Sequence, residues 1–240
     1  MEQEQTVVSN KPTQQSNLLA SIPGHMLSVI LKPTKFFPDM PKTGGYVEPL
    51  IFMIVMAVLA AVVMAIAGVV GFGPVGTMAM GFAGVIILPI AVAIFGFIGA
   101  AILFVIWKIM GSSEDFETAY RCMAFGYAYA PVAALVSGVP YLGPLVSTLW
   151  PMALMAIASI HVHGRSKNAS WAVFGILGLL FAFSSLSMEM AAHRMQSGLQ
   201  DWSRQMGQKS GNQDRMTPEE AGKAVGGFLK GMQQMQKENQ

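Results

Sequence analysis

Two histidines one residue apart, His161 and His163, come nearer to a metal-binding pattern than anything else in this chain. Side chains two apart on a helix point to nearly opposite faces, and no Asp, Glu or Cys lies beside them to complete a ligand set. The pair therefore reads as the boundary end of an apolar helix running into Gly164 and Arg165. Ser137 with His161 as base has the residue types of an intramembrane hydrolase. An activated serine needs its base within hydrogen-bond reach and a third group to orient it, and the sequence supplies neither. The run Gly71-Phe72-Gly73-Pro74-Val75-Gly76 spells the glycine spacing of a dinucleotide-binding turn, but that turn requires a preceding strand inside a βαβ unit. Here long apolar runs flank it on both sides. No catalytic, cofactor-binding or metal-binding residue is expected, and the chain reads as a non-enzyme.

Charge offers a different candidate. Arg121 stands just inside an apolar run, where ionised residues are functional suspects by default. Glu117 precedes it by four residues, the favourable order for a helical ion pair, so Glu117 and Arg121 are expected to pair at the membrane boundary. Lipid headgroups or a protein partner are the alternative ligands for the arginine. Tyr127, Tyr129 and Ser137 would line any path between proline-kinked helices, which defines the alternative reading of a small-solute transporter or channel. Against it, the apolar runs hold no Asp, Glu or Lys of the kind a proton-coupled transporter uses. The single Cys122 excludes an internal disulfide and reads as a small apolar side chain.

These residues must be positioned by helices in a bilayer. Of 240 residues, 53% are hydrophobic and 12% charged, about half the charged fraction of a soluble domain. Between Glu48 and Lys108 there is no Asp, Glu, Lys or Arg at all. A net charge of +2, without a basic stripe interleaved with aromatics, excludes nucleic acid as a partner. The expected fold is an all-α polytopic membrane bundle of about five transmembrane helices, near 49–70, 82–107, 120–139, 142–161 and 170–188. Pro49 suits the first turn of the first span, with Glu48 beside its positive end. Pro89, Pro131 and Pro151 interrupt the second, third and fourth spans. Ala57, Ala61 and Ala65 form a small-residue ridge, and Gly96 with Ala100 repeats its spacing. Ser113, followed by Glu114 and Asp115, reads as the start of a helix.

Residues 1–17 read as a disordered polar lead, without the basic start and cleavage site of a signal peptide. Residues 18–48 read as an amphipathic segment lying on the bilayer surface and broken near Pro33. Lys11, Lys32, Lys35 and Lys42 precede the first span, Lys108 and Arg121 follow the second, and Arg165 and Lys167 follow the fourth. The intervening turns hold no Lys or Arg, so the N-terminus is expected to be cytoplasmic. Residues 189–240 read as a soluble helical tail. Met188, Ala192, Met195, Leu199, Trp202 and Met206 alternate spacings of four and three, the period of a supercoiled seam. Met195, Leu199, Trp202 and Met206 are thus the candidate oligomer seam, with packing on the tail's own chain as the rival use. A second tail helix is expected from Thr217, with Pro218 and Glu220 completing a capping box.

The order of these parts resembles the bacterial branch of the Yip-one domain family, five-span membrane proteins. The likeness is carried by Ile30 to Phe52 (ILKPTKFFPDMPKTGGYVEPLIF), Gly111 to Pro131 (GSSEDFETAYRCMAFGYAYAP) and Ile160 to Ser166 (IHVHGRS). It covers about residues 25–188 and leaves out the tail. The resemblance implies a bacterial inner-membrane protein with a cytosolic N-terminus, of a family whose eukaryotic members are associated with vesicle trafficking, small GTPases and membrane curvature. No GTPase-binding position carries over to a named residue. The expected role is a non-enzymatic protein that oligomerises and organises or shapes the membrane, with the lipid bilayer, a second copy of itself and an unidentified protein as partners.

Overall fold

The computed structural model describes residues 13–72, 77–210 and 218–237. Most of the polar lead, Gly73 to Gly76 of the first turn, the helix start at Thr217 and the side chain of Met206 lie outside the described residues. Every described element is helical, as the composition predicts: α1 (Thr13–Leu31), α2 (Pro33–Asp39), α3 (Val47–Val69), α4 (Thr77–Ile109), α5 (Phe116–Gly126), a 3-10 turn (Tyr127–Tyr129), α6 (Ala130–Val136), α7 (Leu142–His161), α8 (Lys167–Ser210) and α9 (Pro218–Lys237). By contact the chain forms two compact units, one ending at Glu189 and one beginning at Met190.

Among the described residues, four stretches are long and apolar enough to cross a membrane: Val47–Val69, Gly81–Ile109, Leu142–His161 and Lys167–Arg204. The third expected span is the exception, because it is broken into α5, the 3-10 turn and α6. Of the three prolines read as interruptions, only Pro131 sits at a break, in the first turn of α6, whereas α4 continues through Pro89 and α7 through Pro151. Pro131 cannot donate to Tyr127, whose carbonyl accepts the Ala130 N–H one residue early instead. Gly126, just before the turn, lets α7 approach so closely that a Cβ there would meet Met155 Cε at 2.5 Å.

Irregular backbone at membrane depth is tolerated only where protein covers it. The 3-10 turn is covered by α1, α3, α6 and α7. The N-terminal segment breaks at Lys32 between α1 and α2, and one apolar face of it packs on protein. Ile22, Val29, Phe37 and Met40 are buried in a cluster with Phe52, Trp107, Cys122, Phe125 and Val162. Among the described side chains of this segment, Leu27, Leu31, Tyr46 and Val47 keep apolar surface outward, and Lys32 and Lys35 are exposed.

The small-residue ridge of α3 does what its spacing predicts. Ala57, Ala61 and Ala65 are buried, and Gly81 and Gly84 of α4 pack on Ala65 and Ala61. At Gly81 an added Cβ would lie 2.3 Å from the backbone nitrogen of Ala65, so the two helices touch backbone to backbone there.

Candidate functional site

At one end of the membrane unit, the connections 40–46, 110–115 and 161–166 converge on the start of α5. The helix begins two residues later than the sequence suggests. Asp115 is its N-cap, accepting the Thr118 N–H at 2.8 Å, and that backbone bond, followed by the Thr118 hydroxyl, holds its carboxyl below the usual aspartate value. The Thr118 hydroxyl is also 3.3 Å from the carbonyl of Lys42, the first tie between α5 and the loop after α2.

Arg121 is wholly buried and completes that tie. Its Nε donates to the Pro41 carbonyl (2.6 Å), Nη1 to the Gly45 carbonyl (2.9 Å) and Nη2 to Glu48 Oε2 (2.8 Å), with the guanidinium over the Phe125 ring. The carboxylate partner of Arg121 is therefore Glu48, and not Glu117 as the four-residue spacing predicts. Glu117 takes the N–H of Gly45 at 2.6 Å instead. The spacing does place both side chains on one face of α5, but the loop fills that face and both grip it. Gly45 gives its N–H to one and its carbonyl to the other at φ +84°, a conformation that favours glycine. Each of its three nitrogens is engaged and the guanidinium is fully buried, so Arg121 is not open to a headgroup.

The other two connections are joined in the same way. Lys42 Nζ pairs with Glu114 Oε1 at 2.7 Å and lies 3.3 Å from the Val162 carbonyl. His163 is buried, stacked on Trp107 with ring centroids 3.8 Å apart, its Nδ1 2.9 Å from Ser112 Oγ and its Nε2 3.9 Å from Cys122 Sγ. The Ser112 oxygen accepts the Glu114 N–H, which leaves its hydroxyl to donate to an unprotonated Nδ1. Burial first, then Lys42, Arg165 and Lys108, push the imidazole down to about 3, so the ring is neutral at physiological pH. Arg165 closes the circle, donating from Nε to the His163 carbonyl and from Nη1 to the Met110 carbonyl, both at 2.9 Å.

His161 is exposed while its neighbour is buried, so the two do not converge, and among the described residues there is no group of three His, Cys, Asp or Glu suited to a metal. Ser137 ends α6 and packs against Gly143 at the start of α7, whereas His161 ends α7, 18 residues and about 27 Å further along at 1.5 Å per residue, and the serine hydroxyl donates to the Ala134 carbonyl. The Tyr127 and Tyr129 rings contact each other at 5.9 Å and pack into the apolar clusters, while Ser137 is exposed, so the three do not share one path. Sequence reasoning missed Glu48 as an ion-pair partner, and Lys42, Trp107, Ser112 and Arg165 as members of the site. One signal was present: acids gather in the connection before α5 and bases in the other two.

A family model for the Yip1 domain matches residues 27–188. The chain belongs to the Yip1 domain family. The matched stretch contains every residue of this three-loop latch, from Pro41 to Arg165, together with the interrupted span that α1 covers. It stops at Met188, one residue before the end of the first compact unit, so the Yip1 domain and the tail divide where the fold divides. No curated protein and no solved structure matches the chain. Family and helices together make this a multi-pass membrane protein.

Proposed function

We propose that this protein is a non-enzymatic scaffold of the bacterial inner membrane that self-associates through its tail and thereby organises or shapes the bilayer. The observation that carries this reading is in the second unit. There Trp202 of α8 packs on Phe228 of α9, with ring centroids 5.4 Å apart, while Met195, Leu199, Val225, Leu229 and Met232 remain largely exposed. Trp202 is partly engaged within the chain but still 40% exposed, and with Met195, Leu199 and the exposed side chains of α9 it offers a face to a second copy. A tail whose own helices leave this much apolar surface uncovered is suited to association.

Substituting Leu199→Asp should lower the mass of the detergent-solubilised particle by half or more, read by light scattering, without changing helical content. An unchanged mass would remove the tail face from the interface. The N-terminus is placed in the cytoplasm on the lysines of the lead and the bases of the two connections on the same side. A reporter fused to residue 1 should be active only in its cytoplasm-sensing form.

The broken span favours the second reading, a small-solute transporter, because discontinuous helices form many transport sites. Here the break is packed with Tyr127, Ala128 and Tyr129 against α1, α3, α6 and α7, and no ionised side chain lies in the break itself. Solute flux through reconstituted vesicles above that of protein-free vesicles would reverse the ranking.

A further inference from the structure

The latch neutralises its charges unevenly. Lys42 is paired with Glu114 and Arg121 with Glu48, Asp115 caps α5, and Glu117 holds the Gly45 N–H. Among the described residues, Lys108, Arg165 and Lys167 form no ion pair. They stand along one rim, where α4 ends at Ile109, α7 ends at His161 and α8 begins at Lys167. The rim is contiguous: Trp107 stacks on His163 and lies 6.0 Å from Phe174 of α8, and Arg165 reaches back to the Met110 carbonyl.

Arg165 is fixed rather than mobile. Two of its nitrogens donate to main-chain carbonyls, and it crosses Gly111 so closely that a Cβ there would lie 3.0 Å from Nη1. Gly111 holds φ +86°, the second place in the site where glycine is required. Among the described residues the remaining nitrogen, Nη2, makes no hydrogen bond. Lys108 and Lys167 are exposed on either side. Beside them an apolar surface runs down α4 and α8. Ile109 is 82% exposed, Val105 55% and Trp171 43%, and Trp171 follows Lys167 by four residues on the same face of α8. Tryptophan one turn inside the end of a span is a headgroup-level anchor.

Positive charge that no ion pair neutralises among the described residues, with Asp115 the one carboxylate acting on Lys108, at the end of three membrane-length helices and beside exposed apolar side chains, has the charge and polarity profile of an anionic lipid inverted. From this we propose that the rim formed by Lys108, Arg165 and Lys167 binds the phosphodiester headgroup of an anionic phospholipid of the surrounding bilayer, its acyl chains lying on Val105, Ile109 and Trp171. Arg165 is the oriented donor and the two lysines add charge.

Native mass spectrometry of the full-length protein in neutral detergent tests this, with phosphatidylglycerol and phosphatidylcholine of identical acyl chains as probes. Phosphatidylglycerol should be retained preferentially as a one-to-one adduct. Each basic residue beside an anionic lipid surface adds about fivefold to binding, so the exposed pair Lys108→Gln/Lys167→Gln should weaken that adduct about 25-fold. Lys32→Gln/Lys35→Gln, equal in charge but outside the rim, should change it less than twofold. Millimolar inorganic phosphate should not displace the lipid, since it lacks chains to lie on the apolar surface. Equal retention of the two lipids, equal weakening by the two lysine pairs, or displacement by inorganic phosphate would each overturn the site.

Discussion

The two ends of the membrane unit are held together by different physics. At the end where α3 and α5 begin, polar groups, Arg121, Ser112 and His163 among them buried, cross-link three connections: Arg121 and Glu117 seize one loop, Lys42 bridges two, and His163 with Ser112 and Arg165 joins the third. At the end where α3 and α6 finish, the contacts are of shape. Gly81 lies against the Ala65 backbone, Gly138 against the Phe72 ring, and Gly143 against Ser137. The difference teaches where geometry is specified. Hydrogen-bonded loops around a buried arginine have one satisfactory arrangement, because every unpaired group there is penalised. Close-packed glycines and alanines fix the distance between helices but can slide.

The comparison can be broken first at Arg121. Arg121→Met leaves the one-third-exposed Glu48 and two loop carbonyls without their donor, at a cost of up to about 3–5 kcal/mol, the range for removing one partner of a fully buried pair. Thermal unfolding in detergent should fall by many degrees, with Arg121→Lys intermediate because an ammonium cannot reproduce the fork. At the opposite end, Gly81→Val forces two backbones apart and should cost about 1–3 kcal/mol, the usual range for overpacking. If Gly81→Val proved the costlier of the two, the polar end would not be the better specified one.

A pH titration sharpens the contrast. His163 is held at about 3 when folded against 6.5 ordinarily, so the unfolded chain binds its proton first. Its contribution is intact above pH 6.5 and is lost as pH falls toward 3, at up to about 1.4 kcal/mol per unit. Asp115, held below the usual 3.8, adds a loss only below that value. Melting temperature should therefore decline between pH 6.5 and 4 in the parent and stay flat over that window in His163→Gln. The smallest effect is expected at Gly138→Ala, where the obstructing atoms belong to Phe72, a partly exposed ring that can move, so less than about 1 kcal/mol should be lost in the same melting assay.

Much of this architecture is legible in the residues. The bounds of α7 can be read directly, because the turn around Val139 to Gly143 and the His-Val-His-Gly sequence punctuate a single apolar run. The alanine ridge predicts its own helix contact. What escapes is whatever depends on the identity of a neighbour. Amphipathicity in 18–40 says that one face is apolar, but lipid and Phe125 satisfy it equally, so the pattern alone does not reveal that α1 covers a break. Proline at 89, 131 and 151 looks alike in sequence; only at Pro131 does the chain break, in a segment where Gly126 packs tightly against α7. The spacing of Glu117 and Arg121 gives a shared face, while the partners on that face come from a loop more than 70 residues earlier in the chain. In the tail, the four-three pattern is indifferent to whether Trp202 meets another copy or, as it does, Phe228 of its own chain.

The scaffold reading turns on the tail, and the division of the chain at Glu189 and Met190 allows it to be tested cleanly. The full-length protein and a version ending at Met190 should be reconstituted into liposomes at rising protein-to-lipid ratio and imaged by electron microscopy. Narrow tubules or regular arrays with the full chain, and round vesicles with the shortened one, are the predicted result. Round vesicles with both, at protein densities where the full chain is verified in the bilayer, would contradict it.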